Sequence, residues 1–402
     1  MRSISKLFLY GLLIAVSCSL SFALNPNWHI YQYGHRAWKI EDGFLGSVVN
    51  AIAQDGDGYL WIGTNNGLFR FDGIRFTQWN PPEGNLPSSY ILSLLADRDG
   101  SLWISTQNGI SHWDRHHLTH FKEYEGSVVF SMQQDEDGAI WFAPFAVKGT
   151  NDDVLCNIAD GKTSCYGGKE GLTQQPRSRA FFRDSSRSMW MGGSTSVTNW
   201  NDGSIKIYAP KSLERNGAGD GIFGLAKTED GSLLVGIDKR GPGLGLQRFK
   251  NGQWETVTAP GFDGSQHQIT TLFEDRHHTV WIGTGDEGLY RLNNGKIEHF
   301  SRQDGLSSNR ISAIYEDKEG LLWVGTSEGL DQFRDLAVQS FSKSVYPKSA
   351  EFDNLVTLSD GTLWIGGDST LYTLRNGRRR PYFKRSGPRA GHLHQRSLSR
   401  QD

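Results

Sequence analysis

Asp55 and Asp57, Asp97 and Asp99, and Asp135 and Asp137 each stand in an Asp-x-Asp-Gly run, the spacing with which carboxylates could open a calcium loop. None is followed by the third ligand position or the distal glutamate of a hand-type site. The runs therefore read as turns, in which the acid bonds backbone N–H groups and the glycine takes positive φ. Histidines come in adjacent pairs, His116-His117 and His277-His278. Neighbours on a strand point to opposite faces, so shared metal ligation is not expected, and both pairs fall in turns. No acid/base pair, nucleophile triad or metal cluster stands out, and neither a catalytic residue nor a cofactor is expected. Cys156 and Cys165 flank Asp160-Gly161 symmetrically. In a two-residue hairpin 159 faces 162, so 156 faces 165 as a non-hydrogen-bonded pair with Cα atoms ~4.5 Å apart. That separation allows a disulfide.

The remaining candidates are ligand contacts: Ser47, Asn50, Ser89, Tyr90, Arg177, Arg179, Phe223, His267, Asn309, Arg310 and Asp353. Each lies where the chain enters a strand, and their chemistries differ, as a binding surface requires. Drift at exposed loop positions would give the same variety. What separates the two explanations is whether the strands converge on one axis.

A repeat supplies that convergence. Asp-Gly-Asp-Gly-Tyr-Leu-Trp61-Ile-Gly-Thr, Asp-Arg-Asp-Gly-Ser-Leu-Trp103-Ile-Ser-Thr, Asp-Arg-His-His-Thr-Val-Trp281-Ile-Gly-Thr and Asp-Lys-Glu-Gly-Leu-Leu-Trp323-Val-Gly-Thr are nearly superimposable, and looser copies centre on Trp141, Trp190, Leu234 and Trp364. The spacings are 42, 38, 49, 44, 47, 42 and 41 residues, the period of propeller blades. Within a unit, apolar residues such as Val49 and Ile52 make an inner strand. The Asp-x-x-Gly turn follows, then Leu-Trp-Ile-Gly as a second strand whose indole packs between blades. Gly67 to Phe71 is a third strand. Asp72-Gly73 or Asn294-Gly295 then makes a hairpin turn into a fourth, 74–79 or 296–300.

Trp38 to Phe44 has the spacing of Phe300 to Leu306, which joins a fourth strand to the next blade. Residues 28–40, within a closing segment that runs to 44, thus read as an orphan fourth strand that would close the ring from the other end of the chain. The fold expected is all-β: a propeller of four-stranded blades, seven favoured over eight, spanning 28–340. The eighth repeat, 341–378, would begin a second propeller, and 379–402 would be a basic irregular tail.

The formal charge of −2 conceals this tail. From Arg375 onward there are nine Lys/Arg and one acid, leaving 33 basic and 43 acidic residues elsewhere, so the body offers no phosphate-binding surface and no nucleic-acid partner is expected. Arg2 and Lys6 precede an apolar run from Leu7 to Val16, and Ser21-Phe22-Ala23 suits a cleavage site, so 1–23 reads as a signal peptide. A lipoprotein box ending at Cys18, or an uncleaved anchor, is the alternative. Localisation is expected to be periplasmic or secreted.

The motif Asp-x-x-Gly-x-Leu-Trp-Ile-Gly-Thr-x-x-Gly-Leu, with Asp-Gly-Leu-Ser-Ser-Asn-Arg-Ile311 before the inner strand, resembles the two-component regulator propeller repeats, over roughly residues 30–375. The resemblance implies a periplasmic sensor region of hybrid histidine kinases or diguanylate cyclases. No β-sandwich, membrane helix or catalytic segment follows the eighth repeat here, and the Arg/His/Ser-biased end reads as truncated or out of frame. The reading is a ligand-sensing propeller for a carbohydrate or other small molecule, working through a membrane-bound kinase or cyclase partner or through a homodimer. A secreted interaction scaffold is the second reading, and a propeller lyase or glycosidase the third.

Overall fold

The computed structural model describes residues 23–44, 46–81, 84–145, 153–172, 180–184, 186–201, 203–214, 221–336, 352–357, 363–367, 370–375 and 378–384. Residues 1–22 of the signal-peptide segment, Cys18 among them, and Arg177 and Arg179 lie outside them. The chain divides into Met1–Gln339 and Ser340–Asp402. The first unit is a seven-bladed β-propeller of four-stranded antiparallel sheets. Blade 1 runs through Val49–Gln54, Leu60–Thr64, Gly67–Phe71 and Phe76–Trp79. The inner strands of blades 2 to 7 are Ile91–Ala96, Val128–Gln134, Ala180–Arg183, Ile222–Lys227, Ile269–Glu274 and Ile311–Glu316.

Blade 7 takes its fourth strand from the other end of the chain. Strand β1, Gly34–Trp38, pairs antiparallel with Leu330–Arg334, so the seven-bladed closure holds and an eight-bladed ring is excluded. The closing strand is shorter than residues 28–40 would allow. Upstream of Gly34, Pro26 has no N–H for a ladder and Ile30–Gln32 forms a 3₁₀ turn. The arm docks by its carbonyls instead. The Arg291 guanidinium donates to Pro26 O at 2.6 Å and to Trp28 O, and Asn293 Nδ2 donates to Pro26 O at 2.6 Å.

The second unit is one four-stranded sheet, Phe352–Thr357, Leu363–Gly367, Thr370–Arg375 and Arg378–Lys384. Its last strand corrects the first part, 379–384, of the irregular tail expected over 379–402, and 385–402 lie outside the described residues. The Arg-rich run hides strand alternation, and Pro381, which has no N–H to give, sits where the register slips between Leu371 and Tyr372. A second correction concerns Asp72-Gly73. Asn294 and Gly295 both take positive φ, as a two-residue hairpin requires, but at 72–75 the loop is wider. Asp72 Oδ1 accepts from Ile74 N and Arg75 N at 2.8 and 2.7 Å, so the fourth strand starts at Phe76 and Ile74 is exposed.

The repeat residues have specific duties. One carboxylate oxygen of each turn aspartate caps backbone N–H groups, as Asp55 does for Asp57 and Tyr59, both at 3.0 Å. The other accepts the indole N–H six residues on, at 2.8 Å for Asp55–Trp61 and Asp135–Trp141, 3.1 for Asp97–Trp103, 2.9 for Asp184–Trp190 and Asp275–Trp281, and 2.7 for Asp317–Trp323. With both oxygens engaged, these turns are structural, and no cluster of three metal-ligating side chains exists among the described residues. Blade 5 replaces both partners, with Thr228 for the acid and Leu234 for the indole. The strand glycine of Ile-Gly-Thr is set by the next blade: a Cβ on Gly63 would lie 2.5 Å from Ile91 Cγ2, and one on Gly325 2.5 Å from Val49 Cγ1. Blades abut too closely there for a side chain.

The same carboxylate titrates differently around the ring. Burial pushes the Asp317 carboxyl up despite the Trp323 indole bond. At Asp184 burial acts the same way, yet bonds from Lys227, Ser186 and Trp190 outweigh it and hold the carboxyl below its usual range. The Lys227 Nζ to Asp184 Oδ2 distance is 2.6 Å, across the blade 5 to blade 4 junction. Lys227→Met is therefore expected to cost about 1–2 kcal/mol at neutral pH, the lower part of the range for a charged hydrogen bond because the lysine is partly exposed. A depressed carboxyl contributes its stability above the unfolded value near 3.9 and loses it as pH falls through the folded value. Denaturant titrations should show wild type and variant converging below about pH 4.

Cys156 and Cys165 face each other in the hairpin register and form a disulfide with Cα atoms 4.1 Å apart. It closes a loop of nine residues' separation, worth at most about 3 kcal/mol. The Cys156→Ala/Cys165→Ala double variant is expected to lose up to that amount in equilibrium denaturation, with no free thiol released by denaturing the unreduced wild-type pair.

Candidate axial site

Among the described residues, six inner strands carry a β-bulge, at the second residue in five and at Phe130–Ser131 in blade 3. The ladder slips between Val49 and Ala51, Ile91 and Ser93, Val129 and Met132, Ile222 and Gly224, Ile269 and Thr271, and Ile311 and Ala313. A bulged residue leaves the ladder and its side chain is re-aimed. Here the re-aimed residues line a channel of about 800 Å³ on the ring axis, to which all seven blades contribute.

The channel has two characters. Blades 3 to 5 supply Phe130, Phe181 and Phe223, and blades 6, 7 and 1 supply Thr270, Ser312 and Asn50. The polar set also ties blades together. Asn50 Nδ2 donates to Ile91 O and Asn65 Oδ1, both at 2.8 Å, Thr270 Oγ1 to Ile311 O at 2.7 Å, and Ser312 Oγ to Val49 O. At the rim, Tyr90 and Arg310 precede their strands, and Asn65, Gln107 and Ser327 follow the Ile-Gly-Thr, Ile-Ser-Thr and Val-Gly-Thr strand ends. Arg310 is exposed and, among the described residues, is the channel's charged side chain and has no carboxylate partner.

The sequence candidates therefore separate. Asn50, Tyr90, Phe223 and Arg310 meet in the channel. His267 does not: its Nδ1 pairs with the Glu287 carboxylate and its ring stacks on Phe262, with centroids 4.5 Å apart. Beside it, burial and then the Glu287 charge push the Tyr290 hydroxyl up to about 12. Asn309 turns outward to accept Arg302 N at 2.7 Å. Asp353 sits at the bulge of the second unit's sheet, and Arg177 and Arg179 are outside the described residues. Trp61, Trp103, Trp141, Trp190, Trp281 and Trp323 hold the turn-acid bonds within the blades, and Trp364 lies on Leu363–Gly367 of the second unit. Phe130, Phe181, Thr270, Ser312, Asn65, Gln107 and Ser327 were missed. Phe130, Thr270 and Ser312 carried a signal, since they stand eleven residues before the repeat tryptophan as Asn50 does, and Asn65, Gln107 and Ser327 share the position four residues after it.

A second cavity of about 760 Å³ lies at the seam of blades 7 and 1. Its side chains are committed to closure: Trp38 stacks on Trp323 at 5.6 Å and meets Phe71 edge-on at 5.3 Å, and Gln54 Nε2 donates to Glu319 Oε2 at 2.6 Å.

Residues 43–66, 85–108 and 305–328 match the model of the two-component regulator propeller family. Each match takes in the loop before an inner strand, that strand, the turn and the second strand, and ends two residues past Thr64, Thr106 or Thr326. Among solved structures, the extracellular domain of a hybrid two-component system from B. thetaiotaomicron is 18% identical with a TM-score of 0.65, covering 87% of this chain and 49% of that one. A second such domain from the same organism is 21% identical with a TM-score of 0.60, over 89% and 47%. Virginiamycin B lyase from Staphylococcus aureus is 16% identical with a TM-score of 0.58, over 76% and 100%. These likenesses show the fold, and the chain spans about half the length of the two extracellular domains. No curated protein matches the chain. No helix among the described residues is long and apolar enough to cross a membrane.

Proposed function

We propose that this chain, which carries two-component regulator propeller repeats, is an exported sensor that binds a small molecule in its axial channel. It would report occupancy to a membrane-bound histidine kinase or diguanylate cyclase, as a partner protein or through a homodimer. One observation carries the reading: the residues common to the blades build the ring, and six bulges turn residues that differ between blades onto the axis. A purely structural ring needs no such variety in its channel. The extracellular domains of similar fold from hybrid two-component systems support an extracytoplasmic sensing role. A carbohydrate or other small nutrient suits a channel of this volume.

A thermal-denaturation screen of the purified chain against oligosaccharides and small metabolites tests it. A ligand at 100 times its Kd adds about 2.7 kcal/mol, a rise of several degrees. Saturable stabilisation that is lost in Phe223→Ala supports sensing at the axis. Turnover of a compound would favour a lyase or glycosidase. Stabilisation by a polypeptide alone would favour a scaffold.

A further inference from the structure

We infer that the channel selects a small organic anion, its carboxylate held by Arg310 and its apolar face laid against the phenylalanines of blades 3 to 5. This rests on the sensing reading and adds the chemical class of the ligand.

The inference follows from which polar groups are already spent. Donors on the blade 6, 7 and 1 side are used between blades: Thr270, Ser312 and Asn50 each give a hydrogen to a neighbouring carbonyl. What they leave facing the axis is acceptor capacity. Three unspent donors stand together at the rim. Arg310, the Tyr90 hydroxyl and the Gln107 amide have no side-chain partner among the described residues, and no carboxylate lines the channel among them. A guanidinium keeps its charge throughout the physiological range and presents a planar fork that matches a carboxylate with two parallel bonds. No carboxylate among the described residues faces the Arg310 guanidinium in the channel, which leaves it to pair with one that enters.

The opposite wall sets the rest of the ligand. Phe130, Phe181 and Phe223 come from consecutive blades and form one aromatic side, against which a planar ring or the C–H face of a sugar can lie. A ligand that satisfies both walls carries its charge at one end and an apolar face along its body. Uronic-acid saccharides and aromatic carboxylic acids share that chemistry.

Isothermal titration with matched acid and neutral probes tests the inference: cellobiuronate against cellobiose, and 2-naphthoate against 2-naphthamide. At low salt at least one acid should bind tenfold or more tightly than its neutral partner. Arg310→Gln should abolish that ratio, and Arg310→Lys should keep part of it. Arg310 is exposed, so the apo variants should melt within a degree or two of wild type, which keeps a folding defect from imitating the result. Equal binding of acid and neutral probes, an acid preference that survives Arg310→Gln, or binding of neither acid overturns the inference. A neutral probe that binds and is lost in Phe223→Ala would sink the anion while leaving the axial site standing. A ligand from the thermal screen that ignores both Arg310→Gln and Phe223→Ala would sink the axial site itself.

Discussion

Deleting residues 24–38 is expected to cost the propeller its cooperative fold. Leu24, Ile30, Tyr33 and Trp38 are each at most 4% exposed, and burying four such side chains is worth about 6–12 kcal/mol. A whole domain has only about 5–15 kcal/mol to lose. The deletion also strands polar groups. Arg291, 2% exposed, would lose the carbonyls of Pro26 and Trp28. Asp331, fully buried, would lose His35 Nε2 at 2.8 Å and keep only Ser307 N and Oγ. The outer edge of Leu330–Arg334 would be left bare, an open template for pairing with another chain. Size-exclusion chromatography and urea denaturation should show aggregation or a broad, low-amplitude transition. A synthetic peptide of residues 23–39 added during refolding should restore a cooperative one. A truncated monomer that unfolds within about 2 kcal/mol of wild type would contradict closure by this strand.

The second large effect is at the turn aspartate and indole of blade 6. Trp281 is fully buried and its N–H is given to Asp275, so Trp281→Ala is expected to cost about 3–5 kcal/mol, with more added by the stranded carboxylate. The molecule already holds the compensated form of this change, since blade 5 has Thr228 and Leu234 at the two positions and Thr228 Oγ1 satisfies itself on Asp230 and Ser232. Trp281→Leu leaves one oxygen of a buried carboxylate without its donor, the other still holding His277 N and Thr279 N, and Asp275→Thr leaves an unpaired buried indole. The double variant removes both faults. A double-mutant cycle should therefore give a coupling of at least about 1 kcal/mol in favour of the pair. Additivity within about 0.5 kcal/mol would mean that the recurring acid and tryptophan act separately.

That pair also shows how far the sequence could be read. The period, the four-strand unit and the closing segment were legible because turn acids, glycines and indoles repeat at fixed offsets, and these features determine the ring. Joint replacement of both members in blade 5 was a visible clue to the indole bond, but recognising it required treating the two positions as one unit. The strand glycines were also visible, while their cause, the approach of the next blade's Ile91 or Val49, exists only in three dimensions. The disulfide followed from hairpin counting alone.

The site was less legible, for a specific reason. Entry positions are defined by the sequence, but a bulge decides which of two adjacent residues turns to the axis. Asn50 and Phe223 sit on bulges and reach the channel. His267 and Asn309, each two residues before its strand, are taken by Glu287 and by Arg302 N instead. Residues 379–384 read as tail because arginines and Pro381 mask the alternation of a strand that pairs through its backbone.

Hydrogen exchange with and without the compound that most stabilises the chain tests the axial claim most directly. Axial binding predicts slowed exchange in peptides covering 46–52, 88–94 and 308–313, where the bulges and rim donors lie, and unchanged exchange around Trp38 and Phe71. Protection confined to the blade 7 to blade 1 seam, or absent from every inner strand, would contradict it.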